Sequence, residues 1–295
     1  MEIRLSGCRT GLPSNSTIHE PDNEISSAGV RGFARGLKIL MALNSQPRAT
    51  VLQLSRTTKL PRSTIYRLLD TLVEERFVRQ VPGDDHYYLN TKVAELSCGL
   101  TLQSLITELA YPVIENLNRA IGWPVLLHGF EGNALTTWQV TRSRHVAANP
   151  RIGWSAPILR SSPGRLFYAN LPEHQQAEVR SMLATSGKRG AAIESELEGM
   201  SRVVNEVRRR GYGFRVEGLV PRTCSFALPI TVEGKPEAYI TVVFAQPNQT
   251  LARATRDYLS VTRDAAETIG KAVIDHSRRL SQLGVCSPSR SAASL

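Results

Sequence analysis

LSRTTKLPRSTIYRLLDTLVEERFV, residues 54–78, holds two short amphipathic stretches on either side of a break at Lys59-Leu60-Pro61. In the second stretch Ile65, Leu68, Leu69, Leu72 and Val73 recur at helical spacing and form one apolar stripe. Pro61 suits the first position of that helix, where its missing N–H would be unpaired anyway. With the stripe turned inward, Arg62, Ser63, Tyr66, Arg67 and Asp70 face outward from the helix's N-terminal end. Working upstream, Thr50 is the expected N-cap of a shorter helix carrying Val51, Leu52 and Leu54. Phe33, Leu37, Ile39, Leu40 and Leu43 predict another helix over 32–45, ended by Asn44-Ser45-Gln46-Pro47. Downstream the period changes. Residues 77–81 and 86–89 are short β-type runs separated by Pro82-Gly83-Asp84-Asp85, the pattern of a β-hairpin. Residues 30–91 therefore read as three helices followed by a wing, a winged helix-turn-helix.

Each outward side chain has a use against DNA. Arg62 and Arg67 can fork onto guanine O6/N7 or a phosphate, and Ser63 and Thr64 can bond phosphates or base edges. Tyr66 can touch a thymine methyl or a phosphate. The same residues would also suit an ordinary solvated helix face; the break, the preceding short helix and the following basic hairpin favour DNA. Arg31, Arg35, Lys59 and His86 complete the expected set of DNA contacts. The charge agrees. The chain carries a formal +10, and residues 31–91, with ten Lys/Arg against five Asp/Glu, hold half of that excess.

The remainder reads as an α+β sheet unit. Hydrophobic and charged contents of 41% and 21% over 295 residues are those of an ordinary globular protein of about two domains. Residues 1–29 lack the pattern of a secretory signal and, with 279–295, read as disordered tails. A linker helix is expected over 92–105, a second helix over Ser104–Ala120 ended by Gly122-Trp123-Pro124, and the last domain over 106–278. Strands are expected at Val125–Phe130, Leu135–Val140, Phe226–Val232 and Ala238–Phe244. Helices are expected at Gly164–Ala169, Pro172–Ala184, Glu194–Arg210 and Arg253–Leu280. No apolar run is long enough for a membrane span. Cys8, Cys98, Cys224 and Cys286 form no CxxC pair, which leaves reduced thiols in the cytoplasm as the expectation. The six histidines form no HxH or HxxxH pair, and no GxSxG, GxxxxGK[ST] or strand-following GxGxxG occurs. The expectation is therefore a protein that is not an enzyme and takes no metal or cofactor.

The stretch LSRTTKLPRSTIYRLLDTLVEERFVRQ, with VRGFARGLKILMALN before it and YYLNTKVAELSCGL after it, resembles the DNA-binding domain of the IclR family of bacterial transcriptional regulators. The resemblance extends in layout over about residues 29–275. It implies a C-terminal effector domain of GAF-like fold, homodimers or homotetramers, double-stranded operator DNA as partner, and a small organic acid as effector. Within the family, VRGFARGL and GYGFRVEG are most similar to activators of aromatic-acid catabolism, for which RNA polymerase would be a further partner. A ligand-released repressor is the alternative, and an enzyme or sensor using the winged helix for protein contacts is the competing class. The family's effector loop corresponds to RIGWSAPILRSSPGRLFYA, residues 151–169. There the pattern S-x-P-x-H/C-x-T-A-x-G-K-A is met by Ser155, Pro157, Ser161 or Ser162, Gly164 and Arg165. The resemblance places the far side of the pocket at Glu217, Cys224, Thr241 and Val243. Trp154 and Phe244 would suit an aromatic ring, with Arg160 or Arg165 pairing its carboxylate. Two departures stand out. Lys59 and Arg76 occupy positions where the family usually has glycine, so both are expected at positive φ, at a cost of roughly 1 kcal/mol each.

Overall fold

A computed structural model of the chain describes residues 30–131, 134–143, 151–185, 199–217, 219–246 and 248–282. They form two units that divide after Cys98. The tail expected at 1–29 and the 283–295 part of the one expected at 279–295 lie outside the described residues, as does the 194–198 portion of the helix expected from Glu194. Residues 279–282, expected in the tail, instead continue the last helix, Leu251–Gln282.

The first unit runs α1 (Arg31–Ser45), β1 (Ala49–Thr50), α2 (Val51–Thr58), α3 (Arg62–Glu74), β2 (Val78–Gln80), β3 (His86–Leu89) and α4 (Lys92–Glu95). Thr50 caps α2 with a full capping box: its hydroxyl accepts from the Gln53 N–H while the Gln53 side chain accepts from the Thr50 N–H. Ile39, Leu43, Leu54, Ile65, Leu69 and Val78 are almost wholly buried and fix the three helices and the hairpin around one core. Val73, expected in the buried stripe of α3, is exposed. It sits beside Glu74 and Glu75, where α3 runs off the end of the core. The three strands pair antiparallel in the order β1-β3-β2.

A single helix over 92–105 is not what forms. Lys92–Glu95 is one short helix, and α5 (Leu102–Ile121) starts afresh with Thr101 accepting the Ser104 N–H. The apolar pattern is continuous across the gap, but Gly99 weakens helix there and Thr101 is a strong N-cap, so the chain restarts.

In the second unit, β4 (Val125–Glu131), β5 (Ala134–Val140), β6 (Ser155–Ala156), β7 (Gly213–Arg215), β8 (Thr223–Val232) and β9 (Lys235–Ala245) make one antiparallel sheet. Its order is β6-β5-β4-β9-β8-β7. Strand alternation sends Val125, Leu127, Cys224, Phe226, Ile240, Val242 and Phe244 to one face. That face is covered by α5 and by the helix closing the unit, α9 (Leu251–Gln282). Phe244, a candidate for the ligand wall, belongs to this core and stacks on Tyr258 of α9 at 5.9 Å. The opposite face carries Leu135, Ala227 and Tyr239 and is covered by α6 (Ser162–Asn170), α7 (Glu173–Thr185) and α8 (Met200–Arg210). A bulge at Leu127/His128 makes Trp138 the extra residue on β5.

Candidate nucleic-acid interface and effector site

At the break in the first unit, Lys59 adopts φ 57°, ψ 27° and ends α2 in the left-handed region, as its glycine-like position requires. The Ser55 hydroxyl donates to the Leu60 carbonyl at 2.7 Å and locks the turn that aims α3. Arg76 closes the other end of α3 at φ 61°. There the Phe77 N–H reaches back to the Leu72 carbonyl and the Arg76 N–H to that of Val73, a Schellman motif built on a non-glycine residue. Because both positions are strained for a side chain, Lys59→Gly is expected to stabilise the unit by about 1 kcal/mol. The same change should weaken DNA binding by removing a cation, and tighter binding of the variant would refute a role for Lys59 at the phosphates.

Arg62, Ser63, Tyr66 and Arg67 are exposed on the first two turns of α3, and Thr64 is half-buried. No side chain caps the α3 N-terminus, so the positive end of the helix is turned toward the same side as these residues. Arg31, Arg35, Lys59, Arg62 and Arg67 are exposed and donate to no acceptor among the described residues. Cations in that state are available to phosphates. His86 is different. Its Nδ1 lies 2.7 Å from Asp84, which also accepts the His86 N–H at 3.0 Å and the Tyr88 hydroxyl at 2.6 Å. The Arg79 guanidinium stands over the Tyr88 ring at 4.9 Å. The Tyr88 hydroxyl and then His86 hold the Asp84 carboxyl down to about 2. A depressed carboxyl stabilises the wing fully above its ordinary value near 3.8, and that contribution disappears as pH falls toward 2. Asp84→Ala is accordingly expected to speed hydrogen exchange of the His86–Leu89 amides at neutral pH; unchanged exchange would show that the network holds nothing.

In the second unit the sheet face under α6 collects small polar groups. Ser161 caps α6, accepting the Gly164 N–H at 3.0 Å, and both Ser161 and Ser162 are buried. Ser162 and Ser225 share a hydroxyl–hydroxyl bond of 2.9 Å. Gly213 lets α6 lie this close, since a Cβ there would meet the Ser162 carbonyl at 2.1 Å. One on Gly164 would meet the Ile158 backbone at 2.5 Å, so that glycine lets the segment before α6 fold back against it. Thr241 Oγ1 is buried on the same face with no hydrogen-bond partner. Val243 and Leu126 supply an apolar floor beside it. His128 is wholly buried opposite Thr137, with its Nδ1 3.1 Å from the Thr137 hydroxyl, and burial lowers the imidazole to about 3, so it is neutral at pH 7.

The structure brings Ser161, Ser162, Gly164, Thr241 and Val243 to this face. Arg165 is half-buried, and its guanidinium donates to the carbonyls of Leu159 and Phe214. Trp154 packs against the aliphatic cluster around Leu135 and Tyr239. Arg160 and Glu217 are exposed, and Cys224 points to the opposite face, into the core with Phe226. Sequence reasoning missed Arg215, Ser225, His128 and Thr137. The parity of TCSFALPITV was the available signal: Thr223, Ser225 and Ala227 are small and alternate with Cys224, Phe226 and Leu228.

A winged helix with unpaired cations on its third helix, followed by an α+β unit with a buried polar patch, defines a DNA-reading regulator with a ligand-binding module. Residues 33–82 match the IclR helix-turn-helix domain and residues 100–271 match the bacterial transcriptional regulator IclR C-terminal domain. The chain belongs to the IclR family, and it is a ligand-responsive, DNA-binding transcriptional regulator. Among curated proteins it is similar to the transcriptional repressor IclR of Escherichia coli K12, at 25% identity over 63% of this chain and 69% of the relative. An IclR homolog from Microbacterium sp. strain HM58-2 shares the fold with TM-score 0.56 at 20% identity, over 81% of this chain and 96% of that one. A second, from Microbacterium hydrocarbonoxydans and complexed with 4-hydroxybenzoate, gives TM-score 0.51 at 21% identity, over 82% and 98%.

Proposed function

We propose that this regulator activates a catabolic operon when a small aromatic acid occupies the α6-covered face of its sheet. The observation that carries the ligand half is Thr241 Oγ1, buried without a partner beside an apolar floor. Buried hydroxyls are otherwise almost always bonded, so a ligand's polar group is the natural complement. The relative bound to 4-hydroxybenzoate supports an aromatic acid. Recognition is assigned to Arg62, Ser63, Thr64, Tyr66 and Arg67, with Arg31, Arg35, Lys59 and His86 on the backbone. Two subunits of a homodimer or homotetramer would set two α3 helices on operator half-sites. The cytoplasm is the compartment such a role requires; among the described residues no helix is long and apolar enough to cross a membrane.

The second reading, a ligand-released repressor, is favoured by the E. coli relative, itself a repressor. In vitro transcription from the promoter upstream of its own gene, with RNA polymerase and 4-hydroxybenzoate, separates the two. Ligand-dependent transcript above the regulator-free level supports activation; transcript suppressed until ligand is added supports repression. Salt separates both from a winged helix used for protein contacts. DNA affinity should fall log-linearly between about 50 and 200 mM salt, and weak, sequence-indifferent binding would defeat the regulatory reading.

A further inference from the structure

Arg215 lies on the edge strand β7, opposite Ser225, with 2% of its surface exposed. Its two terminal nitrogens donate to the Thr223 carbonyl at 3.0 Å and the Thr223 hydroxyl at 2.8 Å. That hydroxyl is itself oriented by donating to the Val220 carbonyl at 2.8 Å. These bonds use two of the five N–H groups an arginine carries. It forms no ion pair with an acid among the described residues. Glu217, two positions on, is exposed. Burial pulls the Arg215 guanidinium below its usual range; the Cys224 thiol opposes that shift, and a second cation, Arg165, adds to it. A buried charge with no carboxylate partner among the described residues is a cost to the fold.

We propose that Arg215 is the carboxylate anchor of the effector site, a role that rests on reading the α6-covered face as that site. The surroundings fit this chemistry. Ser162 and Ser225, whose hydroxyls meet at 2.9 Å, stand beside it: Ser225 is its cross-strand neighbour, and the Ser162 backbone crosses β7 at Gly213. A carboxylate there would gain a forked, charge-assisted pair and lie near the positive end of α6. Thr223 holds the guanidinium in place before the ligand arrives. The register also sets the ligand's length. Arg215 pairs with Ser225, Ser225 with Val243, and Thr241 is two residues along β9. Two strand spacings, about 10 Å, separate β7 from β9, a span covered by an arginine side chain and one six-membered ring. The ligand class is a ring carboxylate whose second polar substituent meets the unpartnered Thr241 hydroxyl.

The test uses the full chain, with 4-hydroxybenzoate, benzoate and 4-hydroxyphenylacetate as acids and 4-hydroxybenzamide as the neutral isostere. Binding is read by calorimetry and thermal shift on wild type, Arg215→Gln and Arg215→Lys. At least one acid should bind wild type and the amide should not. Arg215→Gln should weaken the acid about 30-fold or more, yet unfold without ligand at no lower temperature than wild type. Arg215→Lys, which keeps the charge but not the fork, should fall between. The proposal is overturned if Arg215→Gln keeps the acid's affinity, if it lowers the ligand-free midpoint, if the amide binds wild type as the acid does, or if no acid binds. An acid that binds through Arg215 but leaves DNA affinity unchanged would sink the functional reading alone and leave the anchor standing.

Discussion

Alanine at both Arg62 and Arg67 is expected to weaken operator binding at least about 100-fold, since each arginine placed on a base edge or phosphate contributes about 1–3 kcal/mol. The fold of the first unit should not change, because neither guanidinium donates to a protein acceptor among the described residues and the core of α3 is Ile65 and Leu69. The unfolding midpoint of residues 30–98 therefore serves as the internal control. The single variants then divide the roles. An arginine on guanine O6/N7 should, when lost, relax discrimination at one operator position and leave the others untouched. One on a phosphate should weaken all sequences alike and reduce the salt slope by about 1. Binding within about threefold of wild type in the double variant, a difference smaller than one arginine contact, would mean that α3 does not enter the groove.

How much of this was readable beforehand depends on how far each feature is from its cause in the chain. α3 was legible because its apolar stripe, its proline start and its break are all local. The left-handed conformations of Lys59 and Arg76 were legible as well, since a position that a family reserves for glycine is a statement about φ. The proposed effector face was not. Its members come from β4, β5, β7, β8, β9 and α6 and meet only through strand register and the packing of α6 on the sheet. The resemblance pointed to Cys224, while alternation along β8 decides that Ser225 is the one turned toward α6. β7 is three residues long, too short for any periodic signal, so nothing in the sequence marked Arg215 as buried. A second helix from Ser104 was expected, but the non-helical gap before Thr101 was hidden for the opposite reason, a helical pattern that continues through residues that are not helical.

Gly213→Ala is expected to lower the unfolding midpoint of the second unit by roughly 6 °C or more, corresponding to about 3 kcal/mol. The cause is steric and not conformational. A Cβ at 213 would stand 2.1 Å from the Ser162 carbonyl oxygen and 2.7 Å from Leu166 Cβ, and the first of these is backbone at the start of α6. The helix has to rise from β7 for the methyl to fit. That movement would pull Ser162 away from Ser225, stretch the Arg165 bond to the Phe214 carbonyl and open the cluster in which Leu166 is buried. Ligand-induced stabilisation should disappear with it, because the face and its cover no longer meet. Gly211→Ala separates the two kinds of glycine. That residue caps α8 at φ 72° with open space around its missing Cβ, so only the left-handed penalty of about 1 kcal/mol applies, and ligand response should survive. If Gly213→Ala unfolds like wild type and still answers an acid, α6 is not held against β7, and the effector site proposed on this face is wrong.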